Sequence, residues 1–131
     1  MNRKELEKYI EETYGISGEY PFENDSETCV FRHFQNKKWF AIIINLPKRR
    51  LGIDEDGNVD IVNTKCDFIL INSMLSEDGF HPAYHMNKTH WITSRLDGSV
   101  EGQRIKDLID ISFNMTNIKI KKTKMKLNNK L

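Results

Sequence analysis

The amino-acid sequence predicts an α+β fold in which an antiparallel β-sheet of about five strands is packed by N-terminal, middle and C-terminal helices. Two observations support this fold class. Segments 29–34 and 39–45 are rich in β-branched and aromatic residues and are separated by a short polar turn, which is typical of a β-hairpin. Segments 3–14 and 99–113 instead repeat their apolar residues every three or four positions, as amphipathic helices do.

The start of the chain carries a clear helix signal. Asn2 is followed three residues later by Glu5, which is the spacing of a capping box, and apolar residues then recur at helical spacing as far as Tyr14. We therefore expect a first helix over residues 3–14. A polar segment separates this helix from the first hairpin, whose turn we place at residues 35–37.

A second hairpin is predicted around Asp56-Gly57. This dipeptide accommodates the positive φ angles of a type I′ turn, and it lies between the apolar segments 51–53 and 59–62. Together the two hairpins would supply four strands of an antiparallel meander.

The middle of the chain fits either a helix or a strand. Asp67 is a suitable N-cap for a helix that ends near Gly79, but the unbroken apolar segment 68–71 is also typical of a buried strand. We favour the helix. Residues 90–96 then predict a fifth strand.

The last predicted helix follows the turn at Asp97-Gly98. Ser99 is its expected N-cap. Its apolar face consists of Ile105, Leu108, Ile109, Ser112 and Phe113.

The length of 131 residues suits one domain, which we place at residues 1–118. No apolar run approaches the roughly 20 residues that a membrane-spanning helix needs, so we expect no membrane association. The first residues are charged and do not resemble a secretory signal, so we expect a cytoplasmic protein.

Charge is distributed unevenly along the chain. The formal net charge is +1, but residues 119–131 contain six lysines and no acidic residue, which leaves a net charge of −5 on residues 1–118. Since this lysine-rich tail has little apolar surface, we expect it to be flexible.

Two cysteines and four histidines are candidates for metal binding or nucleophilic catalysis. His81, His85, His90 and Cys66 lack the spacing of recognised zinc motifs, so we expect no metal and no cofactor. Cys29 or Cys66 beside a histidine could form a nucleophile pair, but no group that would orient it is visible in the sequence. We therefore expect no enzymatic activity.

Residues 84–91 are the most distinctive segment of the chain, with two histidines, a lysine and a tryptophan among eight residues. The chain resembles the MmcQ/YjbR family in four segments in order: Lys65-Cys66-Asp67, Tyr84-His85-Met86-Asn87-Lys88 leading to His90-Trp91, Leu96-Asp97-Gly98-Ser99, and residues 108–113. The match spans about residues 2–116. This resemblance implies a compact α+β domain of the double-wing type, which has been described as a DNA-binding fold.

Two features depart from the family pattern. Phe68 stands where the family usually has a proline, and the residues after it are more apolar than the acidic helix face that is normally present. The connection over residues 47–63 is longer than in many relatives and carries a basic cluster, Lys48-Arg49-Arg50.

The DNA-binding hypothesis assigns phosphate contacts to the basic cluster and to Lys88, with the remaining residues of the 84–91 loop positioning that lysine. The candidate site residues are Lys48, Arg49, Arg50, Lys88, Asn87, His85 and His90. A structural interpretation remains open beside it, in which Trp91 packs in the core while His85, Asn87 and His90 satisfy backbone groups of a sharp turn.

An alternative hypothesis is a chaperone-like module that binds a protein or peptide and has no nucleic-acid activity. Such a protein would have an exposed apolar patch, and Phe22, Phe80 and Tyr84 are the candidates because they lie near predicted loops.

Overall fold

The structure is a computed structural model that describes residues 1–117, so the lysine-rich tail predicted at residues 119–131 lies outside the described residues. The elements are α1 (Arg3–Tyr14), β1 (Cys29–Arg32), β2 (Trp39–Pro47), a 3₁₀ helix (Lys48–Leu51), β3 (Asn58–Lys65), α2 (Phe68–Met74), β4 (Phe80–Pro82), β5 (Trp91–Arg95) and α3 (Gly102–Thr116). In this described part of the chain, every helix is too short or too polar to cross a membrane.

The five strands form one sheet in the order β1-β2-β3-β5-β4, and every neighbouring pair is antiparallel. The predicted α+β class is therefore confirmed. All three helices contribute to a single hydrophobic cluster on one face of the sheet, with Leu6 of α1, Ile71 of α2 and Ile109 of α3 almost fully buried there. Among residues 1–117, the opposite face carries no α-helix; it has a small cluster around Leu46 and Ile61, against which Leu51 of the 3₁₀ helix packs.

The first helix begins as the sequence predicts. The side chain of Asn2 accepts a hydrogen bond from the Glu5 amide at 2.9 Å, and the Glu5 carboxylate accepts one from the Asn2 amide at 3.1 Å. Each partner satisfies an amide that has no acceptor inside the helix. The predicted capping box is thus confirmed, and the helix has the predicted range 3–14.

The second predicted hairpin is wrong in its first strand. Residues 51–53 are not a strand; β2 continues to Pro47 and pairs directly with β3 across the connection 48–57. The Lys48 amide donates to the Gly57 carbonyl at 2.9 Å and closes this loop. Gly57 has a φ of 94°, so the predicted positive-φ turn residue is present, but it ends a ten-residue loop rather than a two-residue turn.

The middle segment is a helix, as favoured, and the alternative of a buried strand is wrong. The Asp67 side chain accepts hydrogen bonds from the amides of Ile69 and Leu70 at 2.9 and 3.1 Å. Phe68 and Ile69 are 55% and 80% exposed, so the apolar segment is not buried along its length. The local capping signal therefore outweighed the hydrophobic run.

Two further details of the C-terminal half differ from prediction. Strand β4, which pairs with β5, was not predicted, so the expected number of strands is reached with a different set. Ser99 is not the cap of α3, because the helix begins at Gly102. The amide and hydroxyl of Ser99 instead donate hydrogen bonds to the Asp97 carboxylate. Ser99 therefore belongs to the turn before the helix.

Candidate functional site

A groove crosses the face of the sheet opposite the three α-helices. Its floor is made by Ile42, Ile44 and Leu46, which alternate along β2 with residues such as Ile43 that point into the helix-covered core. The groove has a volume of about 410 Å³. The complete lining is Phe22, Asp25, Thr28, Trp39, Ile42, Ile44, Asn45, Leu46, Pro47, Arg50, Tyr84, His85 and Met86.

One wall of the groove is built from Phe22 and Trp39. A β-bulge at Phe31/Arg32 shifts the register of β1 on β2, and after this shift Trp39 pairs with Arg32 and lines the groove. The rings of Phe22 and Trp39 pack edge to face with centroids 6.3 Å apart, while Phe22 remains 44% exposed at the rim. This wall therefore presents apolar surface to a ligand.

The other wall is the start of the 83–90 loop. The rings of Tyr84 and His85 stack with centroids 4.0 Å apart, and His85 has a φ of 57°. Left-handed backbone is uncommon for a residue other than glycine, so the surrounding contacts must hold His85 in place.

Buried side chains fix this loop to the sheet. The Asn63 side-chain amide donates to the Tyr84 carbonyl at 2.9 Å, and the Tyr84 amide donates to the Thr93 hydroxyl oxygen at 2.9 Å. That hydroxyl in turn donates to the Asn63 carbonyl oxygen. Both Asn63 and Thr93 are fully buried, which makes the connection a closed polar network under the loop.

The remaining loop residues also have structural partners. The Lys88 ammonium donates to the Ala83 carbonyl at 3.0 Å, and the Asn87 side chain accepts from the Thr89 amide at 2.9 Å. The carbonyl of His90 accepts from the Cys66 amide at 2.9 Å. These contacts favour the structural interpretation for Asn87 and for the backbone of His90.

Two of the three residues in the basic cluster form ion pairs within their own loop. Lys48 lies 3.2 Å from Glu55, and Arg49 lies 2.6 Å from Asp54 and 3.1 Å from Asp56. Such exposed pairs add little stability, but they place negative charge beside these two cations. Arg50 has no ion-pair partner among residues 1–117, and its side chain lines the groove.

Sequence comparison places this architecture in a known group. A family model described as YjbR matches residues 11–115. The chain belongs to the YjbR family. The uncharacterised protein YyaQ of Bacillus subtilis (strain 168) is 35% identical over 116 residues, covering 88% of this chain and 98% of that protein.

Solved structures of similar proteins share the fold. A Pseudomonas syringae protein solved by crystallography is 38% identical, with a TM-score of 0.87 over 88% of this chain and 99% of that chain. A Deinococcus radiodurans protein has a TM-score of 0.68 over 88% of this chain and 78% of that chain; at 22% identity it supports the fold alone.

Only part of the predicted site is brought together in this YjbR-family chain. Arg50 and His85 line the groove, whereas Lys48, Arg49, Asn87 and His90 do not. Sequence reasoning missed Trp39 and the isoleucines of the floor. The alternation of Ile42 and Ile44 along β2 marks a second apolar face of that strand, whereas Trp39 is out of phase with them and reaches the groove only through the register shift. Among the apolar candidates, Phe22 and Tyr84 line the groove, but Phe80 is wrong as a surface residue because it is only 5% exposed.

The cysteines are placed for packing. Cys29 and Cys66 are both buried as free thiols. Burial raises the pKa of each thiol, that of Cys66 to about 11, which keeps it protonated and weakly nucleophilic at neutral pH. Within residues 1–117 no three histidine, cysteine, aspartate or glutamate side chains are grouped closely enough to hold a metal ion.

Proposed function

We propose that this protein is a binding module without catalytic activity and that its groove holds an apolar segment of a protein partner. The observation that supports this function is the combination of an isoleucine and leucine floor with the aromatic walls of Phe22, Trp39 and Tyr84. Apolar surface with a few polar groups at its edge is typical of binding sites.

The elements that line the groove are firmly anchored, which supports a preformed site. Its floor belongs to β2, a strand inside the sheet, and its loop wall is held by the buried Asn63 and Thr93 network. A rigid site loses little conformational entropy when it binds.

The surroundings of the groove favour a protein segment over a small molecule. Phe22 is 44% exposed at the rim. Tyr20, two residues before Phe22 in the chain, does not line the groove and is 53% exposed. An occupant that extends past the groove would cover this additional apolar surface and remove it from water.

If this function is correct, the groove should bind N-acetyl-phenylalanine amide, a neutral mimic of one apolar residue. Titration followed by backbone-amide NMR should shift the signals of Ile42, Ile44 and Tyr84, and the affinity should change little with salt. Replacing Ile44 with glutamine should weaken binding several-fold, because it places a polar group on the floor. Ile111→Gln is the matched control, since Ile111 is an exposed residue of α3 outside the groove. Absence of shifts in the groove, or equal loss in both variants, would contradict the proposal.

DNA binding is a second candidate, favoured by one observation. Two of the predicted phosphate ligands, Arg50 and Lys88, line a common depression of about 300 Å³ beside the groove, together with His85, which was predicted to position the loop. Against this, residues 1–118 carry a net charge of −5, which is unusual for a nucleic-acid-binding domain.

Fluorescence anisotropy with labelled duplex DNA over a salt range of about 50 to 200 mM tests this candidate. If DNA is bound at this site, affinity should fall steeply with salt, and Arg50→Glu should weaken it by about tenfold or more. Arg49→Glu should have a smaller effect, because Arg49 is already paired with Asp54 and Asp56. The candidate is rejected if DNA does not bind even at the lowest salt concentration.

A further inference from the structure

A second depression adjoins the groove and differs from it in charge. It has a volume of about 300 Å³ and shares Arg50, Tyr84 and His85 with the groove. Its other lining residues are Leu51, His81, Pro82, Ala83 and Lys88. Four of these eight residues have basic side chains, and no carboxylate is among the described residues that line it.

His81 has a buried ring nitrogen in this region without a hydrogen-bond partner. Its Nε2 is shielded from solvent and is bonded to no group among residues 1–117. An unpaired buried polar atom carries an energetic cost. Burial, followed by the charge of Arg95, lowers the pKa of His81 and favours the neutral ring.

Arg50 lines both the groove and the second depression. Its neighbours in the 3₁₀ helix, Lys48 and Arg49, are paired with acidic residues of their own loop, whereas Arg50 has no such partner in the described part of the chain. Its guanidinium is therefore available for an anion. A carboxylate matches the planar donor arrangement of arginine.

We propose that the second depression binds a carboxylate of the partner segment whose apolar side chain occupies the groove. The recognised feature is therefore an apolar residue at the C-terminus of the partner, whose own carboxylate lies in the second depression. The charge complementarity of Arg50 and Lys88 with a carboxylate supports this occupant. The inference rests on the proposed function, and it adds the chemistry by which the partner is selected.

A matched pair of probes tests this specificity. N-acetyl-phenylalanine has a free carboxylate, whereas N-acetyl-phenylalanine amide has the same apolar body and no charge. In NMR titrations at neutral pH and low salt, we expect the carboxylate probe to bind about fivefold more tightly, which is the effect of a partly exposed charge pair. The carboxylate probe should shift the Arg50 side-chain signals more than the amide probe does, and its advantage in affinity should shrink as salt is added.

Two variants locate the carboxylate. Arg50→Gln should reduce the preference for the carboxylate probe to near unity, because it weakens binding of the carboxylate probe much more than binding of the amide probe. Arg49→Gln should preserve the preference, because this neighbour does not line the depression.

The outcomes separate the two proposals. If neither probe binds, the proposed function fails. If both probes bind the groove equally, the proposed function stands and the carboxylate inference is overturned. A preference that persists in Arg50→Gln also overturns the assignment of the carboxylate to this depression.

Discussion

Replacing Asn63 with alanine should destabilise the protein by about 1–3 kcal/mol, the usual cost of leaving buried polar groups unpaired. The side-chain amide of Asn63 is the donor to the Tyr84 carbonyl, and its oxygen accepts from Thr93. Alanine removes both bonds at a position where no side-chain surface is exposed to water. The 83–90 loop should therefore separate more easily from the sheet.

Urea denaturation measures the loss of stability, and amide hydrogen exchange of residues 84–90 measures the opening of the loop. Asn58→Ala is the matched control. Asn58 donates to the Asn45 side chain at 2.8 Å but is exposed, so water can replace the bond and the loss should stay below about 1 kcal/mol. Equal stability losses in the two variants, or unchanged exchange in the loop, would show that Asn63 does not anchor it.

The same substitution connects the fold to the proposed function. Tyr84 and His85 form one wall of the groove, and they are held only as firmly as the loop that carries them. Asn63→Ala should therefore weaken binding of N-acetyl-phenylalanine amide even under conditions where the domain remains folded. The groove is thus expected to depend on a polar residue that does not line it.

Local signals explain which parts of the fold the sequence could predict. Asn2 with Glu5, and Asp67 with the amides after it, are pairings between residues two or three positions apart, so the sequence alone contains them. Strand β4 has only three residues, Phe80–Pro82, and owes its conformation to pairing with β5. Such tertiary pairing leaves no periodic pattern to detect.

The site was less predictable for the same reason. Arg49 and Arg50 are adjacent and chemically identical, and only the path of the 48–57 loop decides that Arg49 meets Asp54 and Asp56 while Arg50 lines the groove. Likewise, Trp39 reaches the groove through a register shift in the first hairpin. Neither result follows from residue type or spacing.

Replacing Gly18 with alanine should also destabilise the fold, by about 1–3 kcal/mol, through overpacking of the core. Glu19 and Val30 exchange two backbone hydrogen bonds of 2.9 and 2.8 Å, which hold the Gly18 backbone over the side chain of Cys29. A Cβ at Gly18 would lie 2.1 Å from the Cys29 sulfur and 3.1 Å from the Phe31 ring. Because Cys29 and Phe31 are buried, neither can move away freely.

A double-variant cycle shows whether contact with the Cys29 sulfur causes the destabilisation by Gly18→Ala. Cys29→Ala removes the closest atom, so Gly18→Ala should cost less in that background, with a coupling free energy of about 0.5–3 kcal/mol in thermal or urea unfolding. Relief should be partial, because the contact with Phe31 remains. Gly102→Ala is the control, since its new Cβ would meet only the Met1 Cβ at an ordinary 3.5 Å. If Gly18→Ala is as well tolerated as Gly102→Ala, the close packing of the 18–20 segment on β1 is incorrect. The position of Phe22 at the groove rim would then need revision as well, because the same segment leads into it.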